Sequence, residues 1–177
     1  MPSSFVKPTH LFVFDVESIG LHGEGFAVAD GIYSRSGAKH EFCYSCGIHM
    51  ADGAVNDMRW VEEHVPLKDI EKTHTNPRDV RRAFWDEWMR AKSNDVPAAA
   101  DCSWPVEANF FSACVKDALA SRMWKGPYPF IDIGSLIVAH GGDPLYKFGR
   151  IDGEEQEHHP LHDARQSARI AFDHIPE

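Results

Sequence analysis

The segment that most constrains the fold is residues 11–17, LFVFDVE, near the N-terminus. Its apolar residues run up to the two acids without polar alternation, and phenylalanine and valine favour strands. A run of this kind is typical of a central strand that is buried on both faces. The sequence therefore predicts a sheet built around this strand and flanked by helices.

The remaining elements follow from hydrophobic period and from turn residues. Strand-like runs at residues 25–34 and 39–46 predict a three-strand antiparallel meander with the first strand. Residues 51–76 show no clear period, so we expect a loop with a short helix around Leu67 to Lys72. Further strands are predicted at residues 96–100 and 128–133, and helices at residues 77–92, 105–123, 135–139 and from about 160. This order predicts an α/β fold with a mixed sheet, as one domain over residues 1–177.

Composition limits the class of protein. Hydrophobic residues make up 43% of the chain and charged residues 25%. No apolar run approaches the roughly 18 residues of a membrane span, so we predict no membrane partner. The start of the chain has one basic residue, Lys7, before a short apolar segment. We therefore expect no signal peptide and a cytoplasmic location.

The net charge of -9 argues against a broad basic surface for nucleic acid. Binding through such a surface needs clustered lysine and arginine to neutralise phosphates. The charge is compatible with a site where several carboxylates hold divalent cations, because the cations then supply the positive charge that a phosphate meets.

Asp15 and Glu17 lie two residues apart on the predicted strand, so their side chains point to the same face, about 6 to 7 Å apart along the backbone. Two carboxylates aimed at one place repel each other, and their burial is costly unless a cation lies between them. A divalent ion that prefers oxygen ligands fits this role. The alternative is that the pair marks an exposed strand end, a pattern that arises by chance in acidic chains.

His158 lies in a predicted loop, five residues before Asp163 in the first turn of the last helix. This spacing lets the imidazole and the carboxylate approach one site from neighbouring backbone. Each residue also has a simpler interpretation. A carboxylate is favoured near a helix N-terminus, and His158 could be a solvated loop histidine.

Together these residues resemble the three Exo motifs of the DEDDh 3′-to-5′ exonucleases, a branch of the ribonuclease H-like superfamily that includes ribonuclease T and proofreading exonucleases. The resemblance rests on Asp15 and Glu17, on an acid after a middle strand, and on His158 five residues before Asp163. It covers nearly the whole chain in element order. It implies a ribonuclease H-like fold and metal-dependent hydrolysis of phosphodiester bonds at the 3′ end of single-stranded nucleic acid. The small stand-alone format favours RNA slightly over DNA by analogy.

The resemblance also implies a role for each site residue. Asp15, Glu17, Asp163 and a middle acid would hold two Mg²⁺ or Mn²⁺ ions, with Asp15 bridging both. His158 would accept the proton of the attacking water, a task that suits imidazole because it titrates near neutral pH. The runner-up interpretation is a catalytically impaired module that binds a nucleic-acid end on the same fold. A homodimer is compatible with the resemblance, since small relatives commonly dimerise.

The middle acid has two candidates. Family members usually carry an aspartate at the start of the helix that follows the fourth strand. Asp101 keeps the residue type but ends the strand, whereas Glu107 keeps the helix position. The residue type favours Asp101, with Glu107 as the rival ligand or a substrate contact. Either acid could instead serve as a helix cap.

Substrate contacts are expected next to the acids. Three residues directly follow them and would lie under the terminal nucleotide, with a backbone amide near the sugar and an apolar side chain near the base: Ser18, Ile19 and Gly20. His22 and Trp104 are candidates for stacking on a base. Arg165 and Arg169, about one helical turn apart, could meet phosphate or pair with nearby acids.

The four cysteines do not form a disulfide framework in a chain of this size. Cys43, Cys46 and His49 have metal-ligand spacing, but a structural zinc site normally needs four ligands, and Cys102 and Cys114 fall in other elements. A zinc-binding interaction protein is therefore a third interpretation. The simpler one is a strand of small buried residues.

Overall fold

The computed structural model describes residues 7–175, and these form a five-stranded mixed sheet with helices around it. The strands are β1 (Leu11–Ser18), β2 (Gly25–Ser34), β3 (Gly37–Ser45), β4 (Ala98–Ala100) and β5 (Phe130–Asp132). They lie in the order β3-β2-β1-β4-β5; β1 to β3 pair antiparallel, whereas β4 pairs parallel with β1 and β5. The predicted α/β fold, a meander extended by parallel strands, is confirmed. Residues 1–6, on which much of the expectation about a signal peptide rests, lie outside the described range.

Within the described range there are six α-helices, of which the first four connect strands and the last two follow β5: α1 (Val55–His64), α2 (Pro77–Ser93), α3 (Val106–Lys116), α4 (Leu119–Arg122), α5 (Ile133–Ala139) and α6 (Pro160–His174). The prediction of a helix around Leu67 to Lys72 is wrong, because those residues form turns and the helix of this region is α1. Apart from buried Val61 and half-buried Met58, the residues of α1 are exposed. The single helix predicted over residues 105–123 is divided into α3 and α4, since the backbone leaves the helical conformation at Ala118. No helix among residues 7–175 has the length and apolar character that a membrane crossing requires.

Alternation along β1 divides the hydrophobic core between the two faces of the sheet. Phe14 packs on one face against Phe111 of α3, with ring centroids 5.5 Å apart. Val13 is buried on the other face, in a cluster with residues of α5 and α6. Because strand side chains alternate between faces, Asp15 and Glu17 continue the row of Val13. Both acids therefore point to the face that α6 covers.

The pairing of β4 with β1 defines the edge at which polar residues collect. Val13 pairs with Ala99, and Asp101 directly follows β4 at the same end of the sheet as Asp15. The three alanines of β4 are fully buried, and their small side chains let helices approach the sheet closely. The carboxyl ends of two neighbouring parallel strands thus meet at one edge, where loops and helix starts can add further polar groups.

Candidate active site

Three side chains from distant parts of the chain meet at the carboxyl end of β1. Glu17 comes from the strand, Asp163 from the first turn of α6, and His158 from the loop before α6. One potential ligand atom of each lies within 4.8 Å of the others. Asp15 is close enough that the charges of Asp163 and Glu17 alter its pKa. The structure therefore brings together the four residues that the two ends of the chain contribute.

The start of α6 fixes both Asp163 and His158. Pro160 is the first helical residue, a position where the missing N–H leaves no bond unmade. Asp163 Oδ2 accepts the backbone N–H of His158 at 2.9 Å. His158 has a φ of 59°, a left-handed conformation that residues other than glycine adopt when their surroundings hold them there. The carboxylate therefore positions the histidine through its backbone.

Crowding of buried carboxylates perturbs their proton affinities. Removal from water, followed by the charges of Asp163 and Glu17, raises the pKa of Asp15 well above its usual range. Burial, followed by Asp163 and Glu107, raises the pKa of Glu17 to about 8. Burial and the charge of Asp101 raise the pKa of Glu107 to about 7. Groups that destabilise one another's charged forms at neutral pH are stabilised by a shared cation.

The donor set fits a hard divalent cation. Carboxylate oxygens are the ligands that Mg²⁺ and Mn²⁺ prefer, and an imidazole can join them. Glu17, His158 and Asp163 have a separation that one ion can span. Glu17 is 7% exposed, so its charge is costly there without a positive partner. The chemistry and the burial of these residues both suit a bound divalent ion.

The surroundings of the two candidate middle acids differ. Glu107 lies in the first turn of α3, is 8% exposed, and reaches the backbone at the end of β1. Asp101 follows β4 and its side chain is more exposed, although partial burial and then the charges of Asp132 and Asp163 still raise its pKa. Glu107 raises the pKa of Glu17, and it acts on Asp15 more strongly than Asp101 does. The geometry thus favours Glu107, although the residue type favoured Asp101.

A cavity of about 350 Å³ opens beside the acids, and its lining includes Ser18, Gly20, Leu21, Asp57, Trp60 and His158. The Trp60 ring meets the His158 ring edge-on, with centroids 5.3 Å apart, and stacks on His64 at 4.5 Å. Trp60 therefore supports the imidazole and offers an aromatic wall to a ligand. Gly20 has a φ of 71°, and a Cβ there would lie 2.5 Å from Asp57 Oδ2, so glycine is required at this turn.

The segment after the acids is divided between the cavity and the core. Ser18 and Gly20 line the cavity, and Ser18 Oγ donates to the Gly20 carbonyl at 2.7 Å. Ile19 is 1% exposed and packs in the core on the α2 and α3 face. A register shift between Glu17 and Ser18 breaks the alternation of β1, which is why Ile19 does not follow the acids into the site. The burial of Ile19 therefore does not fit its predicted contact with a base, whereas Leu21 is 66% exposed and lines the cavity.

The other predicted contacts lie around the margin of the site. The rings of His22 and Trp104 meet edge-on at 6.3 Å, and Trp104 is 66% exposed, so this pair remains available for stacking. The two arginines of α6 instead form two-pronged ion pairs with acids: Arg165 with Glu41, and Arg169 with Glu154. Of the two roles considered for these arginines, the structure shows the pairing with acids.

Cys43 and Cys46 have the surroundings of structural residues. In the part of the chain that the structure describes, neither cysteine nor His49 belongs to a group of three potential ligands close enough to bind one metal ion. Cys46 is buried, and its Sγ lies 3.5 Å from the carbonyl oxygen of Phe26. Burial raises the pKa of the Cys43 thiol to about 11, which disfavours the thiolate that zinc requires. The simpler interpretation of this strand therefore fits the structure better than a zinc site.

Sequence reasoning missed five residues of the cavity lining, namely Val16, Leu21, Asp57, Trp60 and Val106. Leu21 directly follows the expected contact segment, and extending that segment by one residue would have found it. Asp57 and Trp60 lie on α1, in the region that was expected to be mainly loop. An isolated tryptophan in a polar segment was the available signal.

Comparison with solved structures finds a protein of similar fold. The nuclease domain of 3'hExo, a DEDDh family member bound to rAMP, aligns with a TM-score of 0.51 at 13% sequence identity. The alignment covers 94% of this chain and 91% of that chain. The chain has the fold of a DEDDh nuclease domain. No protein-family model matches the chain, and no curated protein matches it significantly.

The DEDDh-type fold explains why the site residues are so far apart in the sequence. β1 lies in the middle of the sheet, and α6 packs directly on it, so the first strand and the last helix are neighbours. The expected ribonuclease H-like architecture, drawn from Asp15, Glu17, His158 and Asp163, is thereby confirmed at the level of the fold.

Proposed function

We propose that the chain is a divalent-metal-dependent 3′-to-5′ exonuclease that hydrolyses phosphodiester bonds at the 3′ end of single-stranded nucleic acid. The observation that carries the proposal is the meeting of Glu17, His158 and Asp163 within 4.8 Å at the end of a central strand. The DEDDh-type fold supports it. RNA remains slightly preferred over DNA, one exonuclease domain is proposed for residues 1–177, and the cytoplasm remains the expected location.

Four acids of the site would hold the metal, namely Asp15, Glu17, Glu107 and Asp163, with Asp101 as the alternative to Glu107. Two Mg²⁺ or Mn²⁺ ions, when bound, supply an activated water and stabilise the leaving 3′ oxygen. The acids contribute binding and orientation from two layers of the fold, since Asp163 lies on α6 and Glu107 on α3. The raised pKa of Glu17 and Glu107 also means that protons compete for these acids below neutral pH.

The remaining residues handle the proton and the nucleotide. His158 would accept a proton at its imidazole, because its backbone is held by Asp163 and its ring faces the cavity beside Trp60. Leu21 and Trp60 form an apolar end of the cavity that suits the terminal base. A cavity of about 350 Å³ is of the size that holds one small ligand, which favours removal of single nucleotides from an end.

The test uses single-stranded RNA and DNA of one sequence, labelled at the 5′ end, with Mg²⁺ or Mn²⁺. We expect a ladder of products shortened from the 3′ end, which a chelator abolishes. Asp15→Asn should abolish the ladder. Asp30→Asn is the matched control: Asp30 is a buried acid of the same sheet, but it pairs across the strands with Phe14 and so lies on the opposite face.

Three results would contradict the proposal in different ways. Internal cuts would exclude an exonuclease. A ladder that forms at the wild-type rate in Asp15→Asn would assign the activity to a contaminant. Binding of the 3′ end with no product under any metal would identify the catalytically impaired module instead.

A further inference from the structure

Arg150 places a cation directly against the acidic site. Its Nη2 atom lies 2.7 Å from Asp163 Oδ1, and the two side chains are 21% and 17% exposed. Burial to this extent strengthens such a pair, because water screens it less than it screens a surface pair. The contact joins the loop before His158 to an acid of the proposed metal site.

The same guanidinium organises the loop that leads to His158. Its Nη1 atom donates to the carbonyls of Glu154 and Gln156, at 2.8 and 3.1 Å. The chain then reaches His158, whose N–H donates to the other oxygen of Asp163. A planar guanidinium can donate to both carbonyls and face Asp163 at the same time, because its donors form a rigid fork. A lysine ammonium lacks that geometry.

The loop also has anchors that do not involve Arg150. Glu154 is 3% exposed, and both of its carboxylate oxygens accept hydrogen bonds from Arg169, at 2.9 and 2.7 Å. Arg165 donates to the carbonyl of Gly153 at 3.1 Å. Replacement of Arg150 therefore leaves the loop attached to α6 through Arg165 and Arg169. The main consequence of replacing Arg150 is the loss of positive charge beside Asp163.

Asp163 Oδ2 accepts the His158 N–H, whereas Oδ1 faces the Arg150 guanidinium at ion-pair distance, 2.7 Å, and accepts no hydrogen bond from the described residues. A divalent ion at this carboxylate would lie near the guanidinium, and two cations that share one carboxylate repel each other. The ion and the arginine therefore oppose each other at Asp163, while each relieves the repulsion among the acids.

We propose that Arg150 is a positioning residue that serves as an internal counter-cation. It holds Asp163 and the His158 loop in place when the metal is absent, and it competes with the divalent ion for Asp163, which lowers the metal affinity. The inference rests on the proposed function, because it takes Asp163 as a metal ligand. It concerns binding and stability, so its test does not depend on catalytic turnover.

The experiment measures Mn²⁺ binding by titration calorimetry and the unfolding temperature of the metal-free protein. In Arg150→Gln we expect the Kd for Mn²⁺ to fall about three- to tenfold, the range of a partly buried ion pair, and the unfolding temperature to fall. Arg150→Lys keeps the charge, so its Kd should stay within about twofold of the wild-type value. Arg165→Gln is the matched control: it loses a loop bond and an ion pair outside the acid cluster, so its unfolding temperature should fall without a change in Kd.

An unchanged or higher Kd in Arg150→Gln would overturn the inference. An equal gain in affinity in Arg150→Lys or Arg165→Gln would also overturn it, because loop geometry would then be the cause. Where circular dichroism shows that Arg150→Gln does not fold, Arg150→Met replaces it with the same expectation. Failure of the wild-type protein to bind Mn²⁺ is a distinct result, which would overturn the proposed function and the inference together.

Discussion

Glu107 allows a sharp test, because a metal-binding role and a purely structural role predict opposite effects on stability. Burial, followed by the charge of Asp101, raises its pKa to about 7 from the usual 4.5. A carboxyl group whose pKa is raised by folding stabilises the fold while it is protonated. That contribution is complete below about pH 4.5 and is lost as the pH rises through 7. At about 1.4 kcal/mol per pKa unit, the charged form costs the metal-free protein about 3 kcal/mol at pH 8.

Glu107→Gln removes this charge and nearly preserves the shape of the side chain. In the presence of a chelator at pH 8, we expect the free energy of unfolding to rise by about 1 to 3 kcal/mol, less than the full cost because the amide must also be buried. Near pH 4.5 the change should be small. The exonuclease rate should fall at least about 100-fold. Substitution of a residue that only supports a metal ligand typically costs about 10- to 100-fold, and substitution of the ligand itself should cost more.

Stability is measured by urea unfolding followed through tryptophan fluorescence from pH 4.5 to pH 8, and the rate from the 3′-shortening ladder. Asp101→Asn is the paired variant, because Asp101 is more exposed than Glu107 and should affect both quantities less. Lower stability of Glu107→Gln at pH 8 would refute the reasoning and indicate a structural cap. A larger loss of activity in Asp101→Asn would restore Asp101 as the middle acid.

Three further substitutions test other parts of the site and the core. Asp15→Asn should lower the rate by roughly three orders of magnitude and raise metal-free stability at pH 8, which single-turnover assays and urea unfolding measure. Trp60→Ala should raise KM about tenfold, the effect of losing a stacking surface, and a change confined to kcat would instead assign Trp60 to the support of His158. Asp30 is 1% exposed, its Oδ2 lacks a partner among the described residues, and burial followed by the charge of Glu87 raises its pKa. Its stabilising contribution is therefore lost as the pH rises, so Asp30→Asn should raise the free energy of unfolding by about 1 to 2 kcal/mol at pH 8 with unchanged activity.

The parts of the fold that could be predicted are those that local pattern determines. An apolar run identifies β1 as a central strand, and Asn76 with Pro77 marks the start of α2, where the Asn76 side chain accepts the N–H of Asp79. The spacing of His158 and Asp163 survives in the structure because both belong to one short segment at a helix start. In each case the residues whose pattern allows the prediction are also the residues that make the structural contact.

The parts that could not be predicted depend on how distant elements pack. The choice between Asp101 and Glu107 is decided by the direction in which α3 points its first turn, and α3 is oriented by aromatic packing on the sheet. The position of Ile19 depends on a register shift in the pairing of β1 with β2, which no residue of β1 reveals alone. Arg150 meets Asp163 across a loop whose path is fixed by tertiary hydrogen bonds.

The two faces of the sheet meet at the acidic site, and this has a consequence for the whole molecule. Asp163 belongs to α6 on one face, Glu107 belongs to α3 on the other, and each raises the pKa of Glu17 at the end of β1. Cations shared among these acids would therefore link two helical layers that otherwise contact each other through the sheet. At a metal concentration of about 100 times Kd, binding adds about 3 kcal/mol to the free energy of unfolding. Hydrogen exchange should show slower exchange in both α3 and α6 when Mn²⁺ is added, and slowing confined to α6 would mean that Glu107 is not a ligand.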